Sequence, residues 1–186
     1  MNIRALSILS LAVVLVSCSK SNPDLVTSNQ PSSTNQTLSG ARMTGSPFKG
    51  SISYTATSEY DLPCDCGSYF SVGTYAGSGT LTHLGLSTSD IKPCVSPIFS
   101  STGAFMGDHV GVECAYFIAA DGDKLYLSIH PYDILFTPSG PVGNVNVDFV
   151  GGTGKFASAT GSFTGTVSIL STTTARLDVI SGTISY

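Results

Sequence analysis

From residue 48 to the carboxyl end, apolar and polar side chains alternate with a period of two. Ile52, Tyr54 and Ala56 alternate with Ser51, Ser53, Thr55 and Thr57; Leu125, Leu127 and Ile129 with Lys124, Tyr126 and Ser128. Val145, Val147 and Phe149 alternate with Asn144, Asn146 and Asp148; Phe163, Val167 and Ile169 with Ser162, Thr166 and Ser168. One apolar and one polar face per segment specifies half-buried antiparallel strands. No apolar stripe recurs at helical spacing in this region, so no helix is expected there. Asp121-Gly122-Asp123 stands between two such runs, a strong hairpin signal. The pattern predicts strands at 48–57, 68–75, 79–89, 98–106, 112–120, 124–130, 143–150 and 162–170, with a closing strand at 174–186. Many short strands with regular turns imply a barrel or a sandwich.

The amino end reads differently. Arg4 precedes the apolar run Ala5–Val16, which is too short to span a bilayer of roughly 20 helical residues. A basic start, an apolar middle and small residues before a cut site make a secretory signal. Leu15-Val16-Ser17-Cys18 resembles the lipobox of bacterial lipoproteins. That resemblance implies removal of residues 1–17 and a lipid on Cys18, joined to sulfur as a thioether. It places the protein in a bacterial cell envelope, at the outer membrane, with the membrane as partner through that lipid.

Residues 18–46 read as a flexible linker. Residues 19–46 hold eleven Ser or Thr and no aromatic, whereas all seventeen Phe and Tyr lie from Phe48 onward. So few large apolar groups do not offset the entropy of ordering the chain. Residues 47–186 are the size of one domain with a real core. Without residues 1–17 the chain carries seven Lys or Arg against twelve Asp or Glu, a formal charge of −5. With no basic run or patch, nucleic acid is not an expected partner.

Phe149-Val150-Gly151-Gly152-Thr153-Gly154-Lys155-Phe156 is the densest motif. It is not a P-loop, because Lys155 is followed by Phe156. It is not a dinucleotide site either, because Ala157-Ser158-Ala159-Thr160-Gly161 leads into a strand-like run and not the required helix. Gly151-Gly152-Thr153-Gly154-Lys155-Phe156, followed by Ala159-Thr160-Gly161, resembles the motif shared by allene oxide cyclases and dirigent proteins. Gly79-Thr80-Leu81-Thr82-His83-Leu84-Gly85 resembles a second motif, of secreted bacterial relatives of that barrel. The resemblance implies an all-β domain, an eight-stranded antiparallel barrel of allene oxide cyclase or dirigent-like type. It carries no activity, because nothing in this chain marks a residue for the reactions of either plant family. A closed ring of eight strands has no open edge, and its interior is packed or fits one small ligand.

Cys64, Cys66, Cys94 and Cys114 form an even set in an exported chain, which suggests disulfides. Bonding Cys64 to Cys66 would close a very small, strained ring. If all four are oxidised, two pairings remain: Cys64–Cys94 with Cys66–Cys114, or Cys64–Cys114 with Cys66–Cys94; Cys94–Cys114 alone, with Cys64 and Cys66 free, is the next alternative. The usual zinc spacing is absent, and no metal or cofactor is expected. Of His83, His109 and His130, His83 lies in a motif-like strand, from which it would face the interior. His83, Tyr54 and Tyr116 are the candidate pocket residues. No nucleophile elbow or readable carboxylate pair is present, so no catalytic residue is assigned. The expectation is a binding or structural module with a shallow or filled pocket, taking a small apolar ligand or an envelope partner. The alternative is an isomerase- or cyclase-like barrel enzyme acting on a small apolar substrate.

Overall fold

A computed structural model describes residues 44–186; Cys18 and the remainder of 1–43 lie outside the described residues. The described chain is all-β. In order, its strands are β1 (Ser46–Pro47), β2 (Gly50–Thr57), β3 (Phe70–Ser71), β4 (Thr74–Leu81), β5 (Gly85–Phe99) and β6 (Phe105–Ile118). There follow β7 (Lys124–Ile129), β8 (Tyr132–Thr137), β9 (Gly140–Gly152), β10 (Thr160–Ile169) and β11 (Thr174–Ser185). A single 3-10 turn, Gly154–Phe156, interrupts them.

Eight strands close into an antiparallel ring in the order β5, β4, β2, β11, β10, β9, β7, β6 and back to β5. Closure leaves none of these strands at a sheet edge along its full length. The inward faces follow the period-two pattern: Ile52 and Tyr54 on β2, Val145, Val147 and Phe149 on β9, and Phe163 on β10 are all buried.

One position in the ring is shared. Between β6 and β9, β7 occupies the lower part and β8 the upper part. His130-Pro131 separates the two strands, and proline contributes no amide to a ladder. β7 pairs with β6 at Tyr116–Ile118 and β8 pairs with it at Gly107–Val110. Residues 111–115 of β6 therefore have no register partner on that side.

The ring is packed at one end. Phe48 is fully buried among Phe117, Phe149 and Phe163, with its ring centroid 4.8 Å from Phe149 and 5.6 Å from Phe163. Leu81, Leu84, Leu125, Phe156 and Ile184 complete this closed end.

Several expected boundaries are corrected. The run 79–89 is not one strand but the end of β4 and the start of β5, joined through Thr82-His83-Leu84. The run 98–106 contains a turn, in which Ser100 N donates to Ala104 O. Of 68–75, Phe70–Ser71 is a short strand and Thr74 opens β4. β8 was not expected, because Pro131 and the unbroken apolar run Ile134-Leu135-Phe136 hide its alternation.

Candidate functional site

The half of the ring away from the Phe48 cluster is hollow. Its cavity has a volume of about 220 Å³, which corrects the expectation of a shallow or filled pocket. The wall is aliphatic and aromatic, from Ile91 and Val95 on β5 to Val145 on β9 and Leu177 on β11. The floor is Phe117 and Phe163, and the mouth lies beside Val72, Ile134 and Phe136. Outside that mouth the rings of Phe99, Phe105 and Phe136 form an exposed ridge, with centroids 5.9 Å and 5.4 Å apart along it.

The polar groups on the wall are few. Glu113 comes from β6, within the stretch that has no partner strand on its β7/β8 side. A bulge at Gly111 sets its direction: Val95 pairs with Val110 and Cys94 with Val112, so Gly111 is skipped. Val110 and Glu113 both face inward as a result, although they stand three positions apart, an odd spacing. A Cβ on Gly111 would overlap the ring of Tyr69. Tyr132, the first residue of β8, donates its hydroxyl hydrogen to Glu113 Oε2 at 3.2 Å. Burial pushes the Glu113 carboxyl up to about 7, and the Tyr132 hydrogen bond only partly opposes this. Burial likewise raises the Tyr132 phenol, with the Glu113 charge acting in the same direction.

Tyr54 lines the cavity from β2, its hydroxyl 3.0 Å from Ser89 Oγ. Burial raises this phenol too. Ser89 in turn donates to Tyr116 O. Asp108 lines the wall nearer the mouth, and burial raises its carboxyl.

Two of the three candidate pocket residues lie elsewhere. Tyr116 follows Ala115 and precedes Phe117, so the strand period turns it outward, where its hydroxyl donates to Asp90 Oδ2 at 2.8 Å. His83 lies in the turn between β4 and β5, at the closed end. It has a φ of 70°, and its Nε2 is 3.0 Å from Pro47 O. The sequence pattern predicts a strand at His83, and the chain forms a left-handed turn there. His109 and His130 form outer pairs with Asp133 and Asp148, at 2.6 Å and 2.7 Å.

The glycine motif also lies at the closed end. Phe156 is fully buried there, and the backbone of Thr153 and Lys155 docks onto the Asp121–Asp123 hairpin. Thr153 N donates to Lys124 O, Lys155 N donates to Asp123 Oδ2 at 2.9 Å, and Lys155 Nζ reaches Asp121 Oδ2 at 2.7 Å. Gly151 and Gly154 have φ of 97° and 50°, which favours glycine. None of Gly151, Gly152, Thr153, Gly154, Lys155 and Phe156 touches the cavity.

The cysteines lie on the outer face. Cys94 on β5 and Cys114 on β6 point away from the cavity, and the segment between β2 and β4 crosses both strands. Cys64 pairs with Cys114 and Cys66 with Cys94, at Cα–Cα distances of 5.9 Å and 5.3 Å. This is one of the two full pairings left open by the sequence. Lys92, almost fully buried under the same segment, donates to Asp61 Oδ2 at 2.8 Å and Leu62 O at 3.0 Å. The segment is thereby clipped beside the cavity mouth, where Val72 ends it.

Glu113 and Tyr132 were not singled out from the sequence. The signal was an acidic residue on the inward phase of an otherwise apolar strand, hidden by the change of phase at Gly111. Among the described residues, no cluster of His, Cys, Asp and Glu is arranged to hold a metal. No protein-family model, curated protein or solved structure matches the chain.

Proposed function

We propose that the chain is a lipid-anchored protein of a bacterial cell envelope, presenting an eight-stranded barrel as a binding module for a small apolar molecule. The cavity is the observation that carries this reading. A dry cavity of about 150 Å³ is enough to take up benzene, and this one is larger, at about 220 Å³. It opens to solvent beside an aromatic ridge, and its few polar groups are placed to orient a ligand. The lipobox-like Leu15-Val16-Ser17-Cys18 supports the anchor, and the Ser- and Thr-rich stretch after it supports a tether to the outer membrane. The two motifs quoted above support a barrel of allene oxide cyclase or dirigent-like type.

The test is binding of a neutral apolar dye to the full chain, with an Ala115→Phe chain as control. Ala115 lines the cavity, so the larger side chain fills it. Dye bound equally by both chains would remove the reading.

One observation favours a second reading, an isomerase- or cyclase-like enzyme. Glu113 is a carboxyl in apolar surroundings with its protonation poised near neutrality, the property of a general acid or base. Mass spectrometry of a ligand recovered after prolonged incubation separates the two: a binding module returns it unchanged.

A further inference from the structure

The cavity wall carries acids and no base. Asp108 lies nearer the mouth and Glu113 deeper, and no Lys, Arg or His lines the cavity. The other ionisable groups facing Glu113 are phenols: Tyr54 from β2, Tyr75 from β4 and Tyr132 from β8. The side chains that β5, β7, β9, β10 and β11 present to the cavity are all apolar. Tyr132 satisfies Glu113 Oε2. Glu113 Oε1 accepts no hydrogen bond from the described residues. No enclosed side-chain N or O lacks a partner among them, so Oε1 keeps accessible surface, and Glu113 lines the cavity.

We infer that the cavity selects an apolar molecule with one cationic end, in its simplest form a primary amine, its ammonium on Glu113 and its hydrocarbon against the aliphatic wall. This rests on the reading of the cavity as a ligand site and names the class of ligand. An ammonium brings three donors and no acceptor, which matches an unoccupied carboxylate oxygen. The resulting hydrogen bond is charge-assisted and lies in poorly hydrated surroundings. A carboxylate end would meet two like charges with no base to offset them. An alcohol offers only a neutral hydrogen bond. Proton and ammonium compete for the same carboxyl, so amine binding weakens as pH falls through about 7, where Glu113 takes up its proton.

The test displaces a neutral naphthylamine dye from the purified full chain with octylamine, octanol and octanoate. At about pH 8 the amine should compete about tenfold more tightly than the alcohol, with octanoate weakest. The Glu113→Gln chain should lose the preference for amine over alcohol. Equal binding of amine and alcohol to the natural chain, or tightest binding of octanoate, overturns the inference and leaves the ligand site standing. Failure of all three to displace the dye, or dye bound equally by the Ala115→Phe chain, removes the site and the inference together. The order of head groups is read on the natural chain, so the result does not depend on the folding of the Gln variant.

Discussion

Tyr132 Oη and Glu113 Oε2 meet at 3.2 Å across the seam where β8 replaces β7 beside β6. The pair holds a carboxyl in an apolar cavity. Its pH dependence has a definite sign. The folded-state value is about 7, against an ordinary glutamate value of about 4.3. The folded chain therefore binds the extra proton between these limits. The stability associated with Glu113 is complete below the lower limit and is lost as pH rises to the upper one. Chemical denaturation should show the natural chain losing on the order of 3–4 kcal/mol relative to Glu113→Gln across that window. Parallel curves for the two chains would show that Glu113 is not desolvated.

The disulfides clip the segment between β2 and β4 onto β5 and β6. Peptide mapping without reductant should recover Cys64 joined to Cys114 and Cys66 joined to Cys94. Each bridge should contribute about 2–4 kcal/mol, so paired Cys→Ser changes should lower the denaturation midpoint stepwise. The inner pair closes the shorter loop, 28 residues against 50, and should contribute slightly less. Recovery of Cys64–Cys94 peptides would contradict this pairing.

The strands that alternate cleanly, β2, β7, β9 and β10, were legible in the sequence because a single face of each is buried. The β4–β5 turn was not. Thr82 and His83 continue the phase set by Leu81, only Leu84 breaks it, and the left-handed His83 is not a glycine that would mark the turn. β8 was hidden by Pro131 and by Ile134-Leu135-Phe136, where the strand is exposed on both sides near the mouth. The cavity was hidden for a related reason. Composition and period report which residues face inward, not whether their side chains meet. Phe117, Phe149 and Phe163 meet around Phe48, while Ala115, Val145 and Ala175 fall short of one another. Glu113 required the additional phase change at Gly111, a glycine among twenty.

The glycine motif should behave as a structural lock. Gly154 has a φ of 50°, and a Cβ there would overlap the Asp123 carboxylate that accepts from Lys155 N. Gly154→Ala should cost about 1–3 kcal/mol in denaturation and leave apolar dye binding unchanged, because the motif lies at the opposite end from the mouth. Lys155→Ala removes an exposed pair with Asp121 and a cation–π contact of Nζ with the Phe156 ring, and should cost no more than about 1 kcal/mol. Loss of dye binding in Gly154→Ala, with the chain still folded, would connect the motif to the cavity.

Two phenylalanines should have opposite effects. Phe48 is fully buried and makes aromatic contacts with Phe117, Phe149 and Phe163, so Phe48→Ala should cost about 3–5 kcal/mol. Its ring backs Phe117 and Phe163, the cavity floor, so the loss bears on the deep end and not on the mouth, and the rate of dye dissociation should hold. Phe136 is 56% exposed yet lines the cavity, and its ring packs edge-on against Phe105. Phe136→Ala removes little from the folded core, and its denaturation midpoint should stay close to that of the natural chain. It does remove apolar wall at the entrance, so bound dye should dissociate faster. Stopped-flow dilution of the dye complex and a denaturation curve on each variant measure the two effects separately. A Phe136→Ala chain that binds and releases the dye like the natural chain would place the entrance elsewhere on the ring.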